Sequence, residues 1–134
     1  MEKNKALAYL FLRLSIGLSF LGHGIVRLPK IPAFRNWMID LFKTSLMPEV
    51  FTYLFASILP FVELLVGILL VIGWRTKEAY IIGSAVICAL IFGSCLIENW
   101  EAVAFQLIYA LLFFILLCYM EYNKYALDKE WKAE

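Results

Sequence analysis

Charge is scarce in this sequence. Lys, Arg, Asp and Glu supply 17% of its 134 residues, and they nearly cancel to a formal net charge of +1. A soluble domain usually carries about 25% charged residues. The few basic residues form no patch interleaved with aromatics, so nucleic-acid binding is set aside as a function class. Cysteine and histidine are scarcer still: Cys88, Cys95, Cys118 and the single His23. There is no CxxC and no Cys/His cluster. No metal is therefore expected, nor a haem or iron–sulfur ligand set, nor a disulfide framework. Cys88 and Cys95 lie seven residues apart on one helical run and cannot meet. Cys118 is displaced from Cys88 by about 10 Å of helical rise, too far for a disulfide. Intrinsic dithiol chemistry is not expected. Ser84, Cys88 and Cys95 instead read as a small-residue packing stripe. Long linkers, low-complexity tracts and internal repeats are also missing.

Apolar residues fill the chain instead, at 63% of the sequence and a mean hydropathy of +0.82. They fall in four runs: Ala6 to Leu28, Val50 to Gly73, Ala79 to Ile97 and Ala102 to Met120. Each approaches the roughly 20 residues needed to cross about 30 Å of hydrocarbon. The runs lack the strict alternation and the roughly 10-residue length of barrel strands. Two of the three connections are very short, which makes the helices they join antiparallel. The expected fold is an all-α integral membrane antiparallel four-helix bundle, a single domain over residues 1–134. The first run is long enough to span and no small-residue cleavage pattern follows it, so it is expected to be retained rather than removed as a signal peptide.

The connection from Pro29 to Glu49 is of another kind. Phe34, Trp37, Met38, Leu41 and Phe42 recur at helical spacing, with Arg35, Asn36, Asp40 and Lys43 mainly opposite. That pattern predicts a short amphipathic helix lying on the membrane surface, or else a lid over the bundle mouth. Lys3, Lys5, Arg75, Lys77, Lys124, Lys129 and Lys132 fall on one side of the predicted topology, and Arg27, Lys30, Arg35 and Lys43 on the other. The excess places both termini in the cytoplasm. Tyr9, Trp37, Trp74, Tyr80, Trp100, Tyr119 and Tyr122 suit the interfacial aromatic belts.

Ionisable residues inside spans are costly unless paired or hydrated, so they mark candidate sites. Arg13 in the first helix and Glu63 in the second are the two that stand deepest. Depths counted from the helix ends allow an Arg13–Glu63 ion pair, serving either as a register lock or as part of a functional polar site. Gly17 and Gly24 share the Arg13 face with Phe20 and Arg27, while Pro60, Glu63 and Gly67 share a face of the second helix. A second polar layer combines His23, Gln106 and Tyr109, with Arg27 at the mouth. An imidazole, an amide and an aromatic wall suit the carbonyls of a quinone head group, although a lone histidine is also often just a packed, hydrogen-bonded residue.

The residues Leu12-Arg13-Leu14-Ser15-Ile16-Gly17, Phe20-Leu21-Gly22-His23-Gly24 and Arg27-Leu28 resemble the opening signature of the DoxX family. The segment from Pro60-Phe61-Val62-Glu63 through Gly67 to Gly73 is similar to that family's Pro-x-x-Glu, leucine-rich segment. The last two helices match by hydropathy alone. The resemblance implies a bacterial inner-membrane protein linked to redox metabolism, and it carries functional weight onto Arg13, His23, Arg27 and Glu63. The function expected on this basis is a membrane subunit of a redox system that meets a quinone and works with a partner oxidoreductase. Any redox centre would sit on that partner. The alternative classes are a structural or assembly protein with no chemistry of its own, and a small transporter. An arginine in the first helix disfavours the transporter, because it would neutralise Glu63 and repel a cation. A bundle this thin is also expected to pair as a homodimer.

Overall fold

The computed structural model describes residues 1–128. Helix α1 covers Glu2–Arg27 and passes through a single 3-10 turn, Leu28–Lys30, into α2, Ile31–Phe42. Helix α3 follows at Glu49–Ile72, α4 at Thr76–Leu96 and α5 at Trp100–Cys118. Among the described residues every regular element is helical. The chain is an all-α, multi-pass membrane protein with four helices long and apolar enough to span.

Sequence explains most of the boundaries. Pro29 and Pro32 lie in the first turns of the 3-10 segment and of α2, where a missing N–H costs nothing. Pro48, extended at φ −61° and ψ 139°, opens α3. Gly73 closes it in the left-handed region at φ 73°, where its own N–H and that of Trp74 both reach the Leu69 carbonyl. Asn99 caps α5 by accepting from the Ala102 amide at 3.1 Å. Helix α3 runs unbroken through Pro60.

The spanning helices close in the ring order α1, α3, α4, α5. Two glycines make the α1–α3 contact close. A Cβ on Gly24 would stand 2.6 Å from the Leu64 amide nitrogen, and one on Gly67 would run into the backbone of Leu21. Such backbone-to-backbone approach is how membrane helices gain contact where lipid gives no hydrophobic incentive to pack. The core at the centre holds Ile16, Phe20, Val66, Leu70, Tyr80, Ile87, Phe113 and Leu116. Phe113 meets Phe20 edge-on at 5.6 Å. Outside, Phe11, Leu18, Phe61, Leu65, Ile81, Phe105, Ile108, Leu111 and Phe114 are exposed, the apolar exterior of a bundle whose solvent is hydrocarbon.

One open alternative is decided and two sequence expectations change. Helix α2 turns its apolar face onto α3, where Met38 packs with Ala56 and Leu59, so it acts as a wall and lid rather than a free surface anchor. Tyr9 and Tyr80, expected in an interfacial belt, are buried: the Tyr9 hydroxyl lies 2.9 Å from that of Tyr80 and donates to the Leu116 carbonyl at 2.8 Å. Cys88 is exposed, so the Ser84–Cys88–Cys95 stripe is not a packing seam. Helix α4 packs through Ala79, Tyr80, Gly83 and Ile87 instead.

Candidate functional site

At the end of the bundle away from the start of α1 and the end of α5, the helices part around a cavity of about 590 Å³. Ser19, His23 and Arg27 reach it from α1, Glu63 from α3, and Gln106 and Tyr109 from α5. Its apolar walls include Phe34, Trp37, Met38 and Phe42 of α2 and Phe51 and Phe55 of α3. This volume lies within the roughly 300–1,000 Å³ of small-molecule sites, and so does the pattern of apolar walls with a few polar groups.

An ion pair anchors the polar side. Arg27 Nη1 donates to Glu63 Oε1 at 2.6 Å and to Oε2 at 2.9 Å. The Glu63 side chain is only 7% exposed and that of Arg27 is 27% exposed. The guanidinium also lies 4.7 Å from the centre of the Phe34 ring, which ties α1, α2 and α3 together at one point. Deeper, Tyr109 and Ser19 share a hydroxyl–hydroxyl hydrogen bond. Gln106 Nε2 donates to Ser94 Oγ at 2.9 Å. His23 Nδ1 donates to the Ser19 carbonyl, one turn back, at 2.7 Å.

The structure thus brings His23, Arg27, Glu63, Gln106 and Tyr109 to one cavity and leaves Arg13 out. The Arg13–Glu63 pair is not formed. The close contacts Gly24–Leu64 and Gly17–Val71 fix the register of α1 on α3. In that register Arg13 lies level with the turn after Gly73, about a dozen residues or about 18 Å of helix from Glu63. The sequence estimate set the start of the first span flush with the end of the second, but α1, which begins at Glu2, overshoots that end by more than three turns.

Arg13 is 2% exposed and belongs to another cluster. Its Nη1 donates to Asn123 Oδ1 at 2.5 Å and its Nη2 to the Tyr125 carbonyl at 2.7 Å. Asn123 Nδ2 donates to Thr76 Oγ1 at 2.9 Å, and Thr76 Oγ1 donates to Asp128 Oδ2 at 2.5 Å. Asp128 also accepts from the amides of Arg75 and Thr76 at the start of α4, at 2.5 and 2.8 Å. The segment after α5 is thereby latched over the buried guanidinium. Sequence reasoning missed Asn123, Tyr125 and Asp128; the available signal was a buried arginine in need of acceptors. It also missed Ser19, Thr52 and Ser94, because hydroxyl residues are unremarkable inside helices.

Comparison with protein families is decisive on kinship: the DoxX family model matches residues 8–98, more than half of the chain. The chain belongs to the DoxX family. No curated protein and no solved structure matches it. The matched region runs from α1 through α4, so it includes both signature segments. In this DoxX protein those segments split by function of place. Arg13 serves the latch, Gly24 and Gly67 serve helix contact, and His23, Arg27 and Glu63 serve the cavity. Gln106 and Tyr109 complete the cavity from α5, beyond the matched region.

Proposed function

We propose that this DoxX protein is the membrane subunit of a redox system, holding a quinone-type head group in the cavity and acting beside a partner oxidoreductase. The observation that carries the reading is the convergence of an ion pair, an imidazole, an amide and a phenol on one aromatic-walled cavity inside a membrane bundle. The residues present fit such a head group. His23, Gln106 and Tyr109 supply hydrogen-bonding groups of both kinds, Phe34 and Trp37 supply ring faces, and Arg27–Glu63 fixes the polar end. A bound quinone would supply the electron-accepting chemistry; the chain's own part is to bind, orient and shield. The redox centre belongs to the partner.

The reading places the protein in a bacterial inner membrane with both termini in the cytoplasm and the cavity toward the opposite face. Lys3, Lys5, Arg75, Lys77 and Lys124 support that sidedness, against Arg27, Lys30, Arg35 and Lys43. Lys129 and Lys132 lie outside the described residues. On α5 only Phe113 and Leu116 are buried, so this helix offers the barest flank for the partner or a second copy of the chain. The test is mass spectrometry of an organic extract of gently purified protein. Stoichiometric quinone in the wild type, reduced several-fold in His23→Ala, supports the reading. Lipid alone in the wild type favours a structural or partner-dependent role.

A further inference from the structure

The cavity extends well beyond its polar groups. Those groups gather at one end: His23 and Arg27 from α1, Glu63 from α3, Gln106 and Tyr109 from α5. Gln106 Oε1 is buried there without a hydrogen-bond partner. Buried polar atoms are nearly always satisfied, so this is the end where a head group is needed. Along α3 the wall continues from Glu63 to Phe51, about a dozen residues or about 18 Å of helix. Over that distance α3 contributes Leu59, Phe55 and Leu54, and a single hydroxyl, that of Thr52. Across from it α4 contributes Ile87, Leu90, Phe92 and Gly93, with Phe42 of α2 against Gly93.

This apolar reach comes to the surface. Phe51 and Phe92 line the cavity yet are 63% and 62% exposed, and Leu54 and Ala89 are cavity-lining and exposed as well. They frame an opening between α3 and α4, and on a spanning bundle such an opening meets hydrocarbon. Trp37 and Phe105 also line the cavity and are exposed, but they flank the polar end. Trp37 stacks on Phe34, which covers Arg27, and Phe105 adjoins Gln106. An apolar chain is driven out of water and away from unpaired polar groups, so the α3–α4 opening suits it better. Resting on the quinone reading, we infer that the ligand carries a long apolar tail, which runs from the polar end past Phe42 and leaves the bundle sideways between α3 and α4.

The experiment is photolabelling of the detergent-purified full chain with a ubiquinone analogue whose decyl tail ends in a diazirine, followed by peptide mapping. Labels are expected within residues 51–55 of α3 and 89–93 of α4, and are expected to be lost in excess unlabelled decylubiquinone. Ala89→Trp, which fills the opening, is expected to weaken decylubiquinone binding at least about tenfold, equivalent to about 1.4 kcal/mol, and to leave binding of the tail-less ring within about twofold. Ala85→Trp, one turn away on α4 and off the cavity, is expected to change neither. Labelling uses the wild-type chain, so it carries the test if Ala89→Trp fails to fold. Displaceable labels at Trp37, Leu41 or Phe105 instead, or an Ala89→Trp chain that does not separate the tailed from the tail-less ligand, overturn the tail path while leaving a quinone site standing. Labelling that excess ligand displaces nowhere overturns the path and the quinone reading together.

Discussion

Replacing Arg27 and Glu63 by leucine, singly and together, should produce losses of stability that do not add. Two unit charges about 4 Å apart attract by about 4 kcal/mol at an effective dielectric of about 20, and removing them from water offsets much of that. The two singles should also differ. Arg27→Leu strands a carboxylate whose side chain is 7% exposed, and an uncompensated buried charge costs about 3–5 kcal/mol. Glu63→Leu leaves an arginine that is already 27% exposed and can extend toward the interface, so its cost should be nearer about 1–2 kcal/mol. The double variant should recover about 2 kcal/mol relative to the sum of the singles, within the range for charged hydrogen bonds. The assay is reversible unfolding in mixed micelles titrated with a denaturing detergent. The control cycle pairs Arg13→Leu with Glu63→Leu, which should add within about 0.5 kcal/mol because the sites are remote. A larger coupling between Arg13 and Glu63 than between Arg27 and Glu63 would refute the register on which the cavity is built.

Two further outcomes follow from the same geometry. A Cβ at Gly24 would stand 2.6 Å from the Leu64 amide nitrogen while one at Gly22 would meet nothing within 4 Å; Gly24→Ala should therefore cost about 1–3 kcal/mol as overpacking, and Gly22→Ala should be neutral or stabilising. Equal effects in the unfolding titration would count against the close α1–α3 contact. Asn123→Ala removes the acceptor of Arg13 Nη1 and the donor to Thr76, so it should cost about 1–3 kcal/mol and speed amide exchange at the Asp128 N–H bonded to the Gly73 carbonyl. Unchanged exchange would separate the tail from Arg13.

Hydropathy made the helices legible to within a few residues: the run Ala6 to Leu28 against helix Glu2–Arg27, and Val50 to Gly73 against helix Glu49–Ile72. Length and apolarity set those limits, and the bilayer leaves helices few alternatives. The cavity residues were legible for a related reason, since His23, Arg27, Glu63 and Gln106 are expensive in hydrocarbon and have to be accounted for. Pairing was not legible. Which arginine meets Glu63 depends on how far α1 slides along α3, and that is set by Gly24 and Gly67 touching backbone, a contact whose faces show in the spacing but whose register does not. The role of α2 was ambiguous because the same amphipathic stripe fits a lipid surface and a helix flank. The latch was hidden because Asn123 and Asp128 look like ordinary polar residues after a span.

The two polar clusters sit at opposite ends of one helix pair, and this arrangement assigns different work to residues of the same type. Arg13 is enclosed, and its acceptors are a side-chain amide and a backbone carbonyl, both from the segment after α5; its two terminal nitrogens are spent on that segment, and it holds the bundle end closed. Arg27 meets a carboxylate, an aromatic face and open space at once, so it keeps binding capacity. Between them the glycine contact makes α1 and α3 a rigid pair, because backbone pressed on backbone cannot slide without collision. The same contact holds the backbone that carries His23 and Glu63 at the cavity. Loosening the latch should therefore weaken the fold around Arg13 while leaving the Arg27–Glu63 geometry in place.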